Sequence, residues 1–109
     1  MPRFNEDSYA HCVTTKTYKS QKIFTDERCC RIVMDDIGYY RQKLSFKVIV
    51  YCLMPDHLHL IVQWDVAQYP KLTISTVMHR IKGRSAKRIS DYFLRVAEAF
   101  MPRLVRGGA

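Results

Sequence analysis

The spacing of apolar residues predicts five secondary-structure elements. Positions 9–17 are rich in strand formers, and apolar positions within 26–44 recur at helical steps of four, four, three and four. Two apolar runs, 46–54 and 58–64, are separated by the turn formers Pro55 and Asp56, which is typical of a hairpin of two well-buried strands. A second helix is predicted to begin at Thr73, and the tail after residue 100 has no periodicity and is expected to fray.

The order strand, helix, strand, strand, helix predicts an α+β fold of ferredoxin-like layout. Its antiparallel sheet would carry both helices on one face and leave the other free to bind, with the last strand missing or supplied otherwise. Thr25 and Asp26 are the candidate N-caps of the first helix, and Gly83 is expected to bend or divide the second. The predicted buried positions of the helices are Cys29, Val33, Ile37, Tyr40 and Leu44, then Ile74, Val77, Met78, Ile81, Ile89 and Tyr92 or Phe93.

The length of 109 residues fits a single domain, residues 1–109, with one modest core. Apolar residues make up 48% and charged residues 26% of the chain. These values are typical of a globular protein and exclude an intrinsically disordered one. The four cysteines form no CxxC pair, so we expect them to be reduced and mostly buried. No apolar run approaches the length of a membrane span, and the expectation is a cytoplasmic protein without a membrane partner.

The net charge of +8, from 18 Lys and Arg against 10 Asp and Glu, favours a polyanionic partner, with nucleic acid ahead of a membrane surface. Arg80, Arg84 and Lys87 follow at helical spacing and share one side of the second helix, with Lys82 and Arg88 beside them. Such charges often form only a solvated face. In a chain this basic, we expect them to contact DNA phosphates instead.

The chemistry-bearing pattern is His57-Leu58-His59 in the second strand of the hairpin. Side chains alternate along a strand, so both histidines point to one face while Leu58 points to the core. If the turn pairs Met54 with His57, Cys52 lies opposite His59 and Gln63 further along, and either could add a contact. Two imidazoles leave most of an octahedral shell open, which suits Mg²⁺ or Mn²⁺ on a phosphate. Hydrogen-bonded histidines without metal are the alternative.

A longer block around these histidines resembles the signature of the HUH transposases with one catalytic tyrosine. The similarity extends through positions 15–19, 23–25 and 81–89, covers most of residues 9–93, and looks most like the branch associated with repetitive extragenic palindromes. The block itself reads Tyr51-Cys52-Leu53-Met54-Pro55-Asp56-His57-Leu58-His59-Leu60-Ile61-Val62.

The resemblance implies DNA transposition by a homodimer that binds and cleaves single-stranded or hairpin DNA. In that family the two histidines hold a divalent cation at the scissile phosphate while a tyrosine attacks it. The metal role falls on His57 and His59, whereas Asp56 belongs to the turn and receives no catalytic role.

The nucleophile is not identified by the resemblance. In the family it lies on a helix beyond a further strand, and positions 97–109 match neither, so a C-terminal truncation is expected. Tyr92 lies on the second helix but on its predicted buried side, which favours core packing over catalysis. Two alternatives remain: a truncated remnant that binds DNA hairpins without cutting them, and an RNA-binding module that stacks bases on its sheet.

Overall fold

The computed structural model describes residues 10–100, without the side chains of residues 18 and 100. Three antiparallel strands form one sheet in the order β1-β3-β2, and two helices pack against it. The predicted α+β, ferredoxin-like layout is confirmed. Residue 9, placed in the first strand, and the tail predicted to fray lie outside the described residues. The elements are β1 (His11–Lys16), α1 (Glu27–Leu44), β2 (Lys47–Met54), β3 (His57–Gln63) and α2 (Ile74–Phe100), with single 3-10 turns at Tyr18–Ser20 and Ile23–Thr25.

The core lies between the helices and one face of the central strand β3. Leu58, Leu60 and Val62 alternate along β3 and are almost completely buried. They form one apolar cluster with residues of both helices, including Val33 and Ile81. Burying a side chain of this size contributes roughly 1.5–3 kcal/mol. This packing fixes the register of β3 and directs the intervening residues His57, His59 and Ile61 to the opposite, open face.

The first helix begins and ends with local caps. Of the two candidate N-caps, Asp26 is the one used, because its carboxylate accepts a hydrogen bond from Arg28 N at 2.8 Å. At the other end Ser45 adopts a left-handed conformation with φ of 60°, a common way to terminate a helix. The residues predicted to be buried in α1 are buried or half-buried.

A buried carboxylate joins the two helices. Asp36 of α1 is 0% exposed and accepts a hydrogen bond from Ser85 Oγ of α2 at 2.8 Å. Arg84 Nε lies 3.0 Å from the same carboxylate, and Arg88 Nη1 also donates to it. Both arginines come from the predicted DNA-binding stripe, so part of their hydrogen-bonding capacity is used inside the protein.

Three sequence-based predictions differ from the structure. Strand β2 is not well buried: Ile49 and Tyr51 are 50% and 54% exposed, because β2 lies at the edge of the sheet and a bulge leaves Ile49 unpaired. The cysteines are free, but Cys12 and Cys52 are exposed on the edge strands. Gly83 does not divide α2, which continues through it to residue 100.

Candidate metal centre

The two histidines lie on the open face of β3, flanked by both neighbouring strands. The register pairs His57 with Met54 of β2 and His59 with Cys52, as predicted from the two-residue turn. On the other side β1 places Lys16 opposite His57 and Thr14 opposite His59. The pair is therefore surrounded by side chains from all three strands of the sheet.

The imidazole rings are close enough to share one ion. An ion about 2.1 Å from an imidazole nitrogen lies about 3.2 Å from the ring centre, so two rings that bind it with a nitrogen–metal–nitrogen angle of about 90° have centres about 4.5 Å apart. The rings of His57 and His59 have centroids 4.6 Å apart and planes at 88°. The donor type and the distance between the ring centres thus fit a divalent cation held by two imidazoles, while the angle between the planes is that of an edge-to-face ring contact.

Both rings are held through their Nδ1 atoms. His57 Nδ1 lies 2.7 Å from Asp56 Oδ1, and His59 Nδ1 lies 2.9 Å from Thr14 Oγ1. The hydrogen bond from His57 is the main reason why the pKa of Asp56 lies below its ordinary value. Since each Nδ1 is engaged, Nε2 is the nitrogen that each ring can offer to a metal.

The rest of a coordination shell is open among residues 10–100. There, no three His, Cys, Asp or Glu side chains are grouped so that they could hold a metal. The Sγ atom of Cys52 faces Met54 Sδ at 3.8 Å. Gln63 is buried and four positions beyond His59, about 13 Å along the strand, too far to join the same ion. Of the two further contacts considered from the sequence, Gln63 is thus excluded as a ligand.

Comparison with known proteins assigns the family. A family model described as IS200-like transposase matches residues 5–103. The chain belongs to this family. Its fold is similar to the 1.90 Å crystal structure of a candidate transposase from Deinococcus radiodurans R1, with a TM-score of 0.67, 18% identity, and coverage of 92% of this chain and 73% of that one. No curated protein matches significantly. Membership of a transposase family supports DNA transposition as the process and DNA as the partner.

The basic stripe of this IS200-like family member is divided between two roles. Arg80, Lys82 and Lys87 are exposed on α2. Arg84, in contrast, lies over the Tyr39 ring at 4.0 Å and contacts Asp36, and Arg88 is half-buried against the same carboxylate. The first three are therefore the members with cationic groups available for DNA.

Lys82 also lines a groove of about 660 Å³ between α2 and the end of β1. Lys16 lies on the same groove and, on the open face, opposite His57. The groove is otherwise mainly apolar, with Ile23, Phe24 and Ile89 among its walls. These two lysines thus connect the helix layer with the histidine face around the edge of the sheet.

Within the described residues, no helix is both long and apolar enough to cross a membrane.

Tyr92 is placed for structure rather than for attack on a phosphate. Its hydroxyl donates to Asp26 Oδ2 at 3.1 Å and so ties α2 to the start of α1. That hydrogen bond, followed by burial, raises the pKa of Tyr92 and disfavours the phenolate. Because α2 packs on the opposite face of the sheet from His57 and His59, the Tyr92 hydroxyl is separated by the sheet from the two histidines of the same chain. Tyr69, in the loop before α2, packs against the core.

Sequence reasoning missed the partners of the histidines. Asp56 was recognised only as a turn residue, although a carboxylate next to a candidate ligand is a signal that could have been used. Thr14 and Lys16 could not be assigned, because their positions depend on the register between β1 and β3.

Proposed function

We propose that this chain is a metal-dependent DNA-processing domain of a transposase, which binds single-stranded or hairpin DNA and holds Mg²⁺ or Mn²⁺ with His57 and His59. The observation that carries the proposal is the pair of imidazoles on the open sheet face, with each Nδ1 engaged and the ring centroids 4.6 Å apart. When bound, the cation would act as a Lewis acid on a phosphate oxygen.

The protein's own groups supply binding and orientation. His57 and His59 offer Nε2 to the cation, and Lys16, which is paired with His57 across the sheet, supplies an ammonium group for a phosphate. Arg80, Lys82 and Lys87 bind the DNA backbone at further positions without reading its sequence. Arg84 and Arg88 have side chains that are 40% and 37% exposed, so they contribute less because Asp36 already engages them.

The homodimer stays part of this proposal. Within the described residues β1 pairs only with β3, so its outer edge has unpaired backbone groups. Pairing of such an edge with a second copy would satisfy them. Sedimentation equilibrium with and without hairpin DNA measures the oligomeric state.

A second candidate function is binding of DNA hairpins without cleavage. The position of Tyr92 favours it, because the hydroxyl that was considered as a nucleophile is tied to Asp26. The two functions share the metal and DNA contacts and differ in the covalent step alone. Incubating the protein with labelled hairpin DNA and Mn²⁺, followed by denaturing electrophoresis, separates them: label that migrates with the protein identifies the enzyme.

The proposal predicts that a divalent cation strengthens DNA binding. We expect a labelled hairpin oligonucleotide with single-stranded flanks to bind more tightly in Mn²⁺ than in EDTA, because the cation bridges the histidines and a phosphate. Fluorescence anisotropy at constant ionic strength measures this difference. Equal affinities in Mn²⁺ and in EDTA would contradict a role for the metal. An affinity for a neutral oligonucleotide analogue equal to that for DNA would contradict binding through the phosphates.

The three exposed cations of α2 predict a change in salt dependence. Replacing Arg80, Lys82 and Lys87 with glutamine should flatten the slope of log affinity against log salt by about 2 units, because each phosphate contact on a single strand contributes roughly 0.7. The control replaces Arg31, Arg41 and Lys43, exposed cations of α1, with the same loss of charge. If both triple variants change the slope equally, the stripe acts only through net charge.

A further inference from the structure

The turn before the histidines is held in place by the loop that precedes α1. The backbone oxygen of Asp56 accepts a hydrogen bond from Thr17 N at 2.9 Å. The Thr17 hydroxyl lies 3.2 Å from the same oxygen but donates its one hydrogen to Gln21 O at 2.6 Å. The neighbouring oxygen of Pro55 accepts one from Phe24 N at 2.9 Å. Two backbone hydrogen bonds thus fix the two-residue turn, so the Asp56 side chain starts from a defined position.

From that position the carboxylate contacts His57. Asp56 Oδ1 lies 2.7 Å from His57 Nδ1, and the two side chains are only 33% and 24% exposed. An ionised carboxylate has no hydrogen to donate, so the hydrogen of this contact belongs to Nδ1. In the neutral ring the other nitrogen, Nε2, then keeps its lone pair, which is the form that binds a metal.

We propose that Asp56 is a positioning residue for the metal site, which holds His57 in the orientation and tautomer that present Nε2 to the cation. This inference rests on the proposed function of His57 and His59. Thr14 orients His59 in a similar way, but a hydroxyl can donate or accept, so it does not select a tautomer. The two histidines are therefore unequal: His57 is preset for coordination, and His59 adjusts when the cation arrives.

The first test measures Mn²⁺ affinity by calorimetry. Asp56→Ala should weaken binding about 10- to 100-fold, the usual effect of removing the group that orients a ligand histidine. Asp56→Asn, which keeps an acceptor oxygen and suits the turn, should lose less. Asp35→Ala, which removes one carboxylate from an exposed position of α1, should bind as the parent does. Parent-like affinity in Asp56→Ala would overturn the inference.

The second test reads the tautomer directly in the metal-free protein. Long-range proton–nitrogen NMR spectra in alkaline buffer distinguish a ring that carries its hydrogen on Nδ1 from one that carries it on Nε2. We expect the Nδ1–H form for His57 in the parent and in Asp56→Asn, and a shift toward Nε2–H in Asp56→Ala. An unchanged tautomer of His57 in a folded Asp56→Ala protein contradicts the assigned role. The backbone spectrum of the same sample reports whether the variant is folded.

The two tests separate failure of this inference from failure of the proposed site. If His57→Ala/His59→Ala loses Mn²⁺ binding and Asp56→Ala does not, the metal site stands and the role of Asp56 falls. If the histidine variant keeps its affinity, the metal site itself is wrong. In that case the NMR result still decides whether Asp56 controls the tautomer of His57.

Discussion

Replacing His57 and His59 together with alanine should abolish Mn²⁺ binding. Among the described neighbours of the pair, Thr14, Lys16 and Met54 are poor ligands for a hard divalent cation, and Asp56 supplies a single carboxylate. Without the imidazoles, one partly exposed carboxylate is too little to hold a hydrated divalent cation. Isothermal titration with Mn²⁺ measures this loss, and each single variant should retain weak binding.

The matched control for this pair is His79→Ala. His79 is exposed on α2, away from the open sheet face, so its removal deletes one imidazole without touching the site. Its Mn²⁺ affinity should equal that of the parent. An unchanged affinity in the double variant would show that the metal, if any, binds elsewhere, and the proposed function would then lose its central observation.

Asp36→Ala should lower the free energy of unfolding by about 3 kcal/mol. The substitution leaves the buried Ser85 hydroxyl without its acceptor and removes the anion between Arg84 and Arg88. Both arginines can turn their partly exposed side chains toward water, which keeps the loss near the lower end of the range for a broken buried ion pair. A domain of this size has about 5–15 kcal/mol of stability, so the variant should unfold at a clearly lower denaturant concentration.

The adjacent residue provides the control. Asp35 is exposed on the same helix, and Asp35→Ala should change the free energy of unfolding by less than about 0.5 kcal/mol. Urea unfolding of both variants, followed by circular dichroism, gives the comparison. Equal free energies of unfolding would mean that the desolvation of the Asp36 carboxylate cancels the stabilisation from its hydrogen bonds and ion pairs.

The sequence predicted the parts of the site that depend on local geometry. Strand alternation places His57 and His59 on one face, and the two-residue turn sets Cys52 opposite His59. Thr14 is 45 positions away from His59, and only the assembled sheet brings them together. The same limit applies to Asp36. An aspartate in a helix is usually exposed to solvent, and only the packing of α2 against α1 brings Ser85 and Arg88 to its carboxylate.

Burial of the strands was only half predictable. The run that forms β2 is almost continuously apolar, which is typical of a strand buried on both faces, whereas β3 begins with alternating histidine and leucine. The sequence pattern alone therefore ranks the burial of the two strands in the wrong order. Strand order makes the difference, because β3 has a neighbour on both sides and β2 on one. The division of the basic stripe follows the same logic, since Arg84 and Arg88 differ from Lys87 only in facing α1.

Lys16 and Lys82 line one groove, and this restricts the shape of any DNA that contacts both the groove and the histidine face. Packed layers lie about 10 Å apart, so a strand that contacts both Lys82 and the histidines must turn around the end of β1 within a few nucleotides. Duplex DNA is far too stiff for such a turn, with a persistence length of about 50 nm. The proposed function therefore predicts that a strand spanning both surfaces is unpaired where it passes the sheet edge, and that the stem of a hairpin stops short of it.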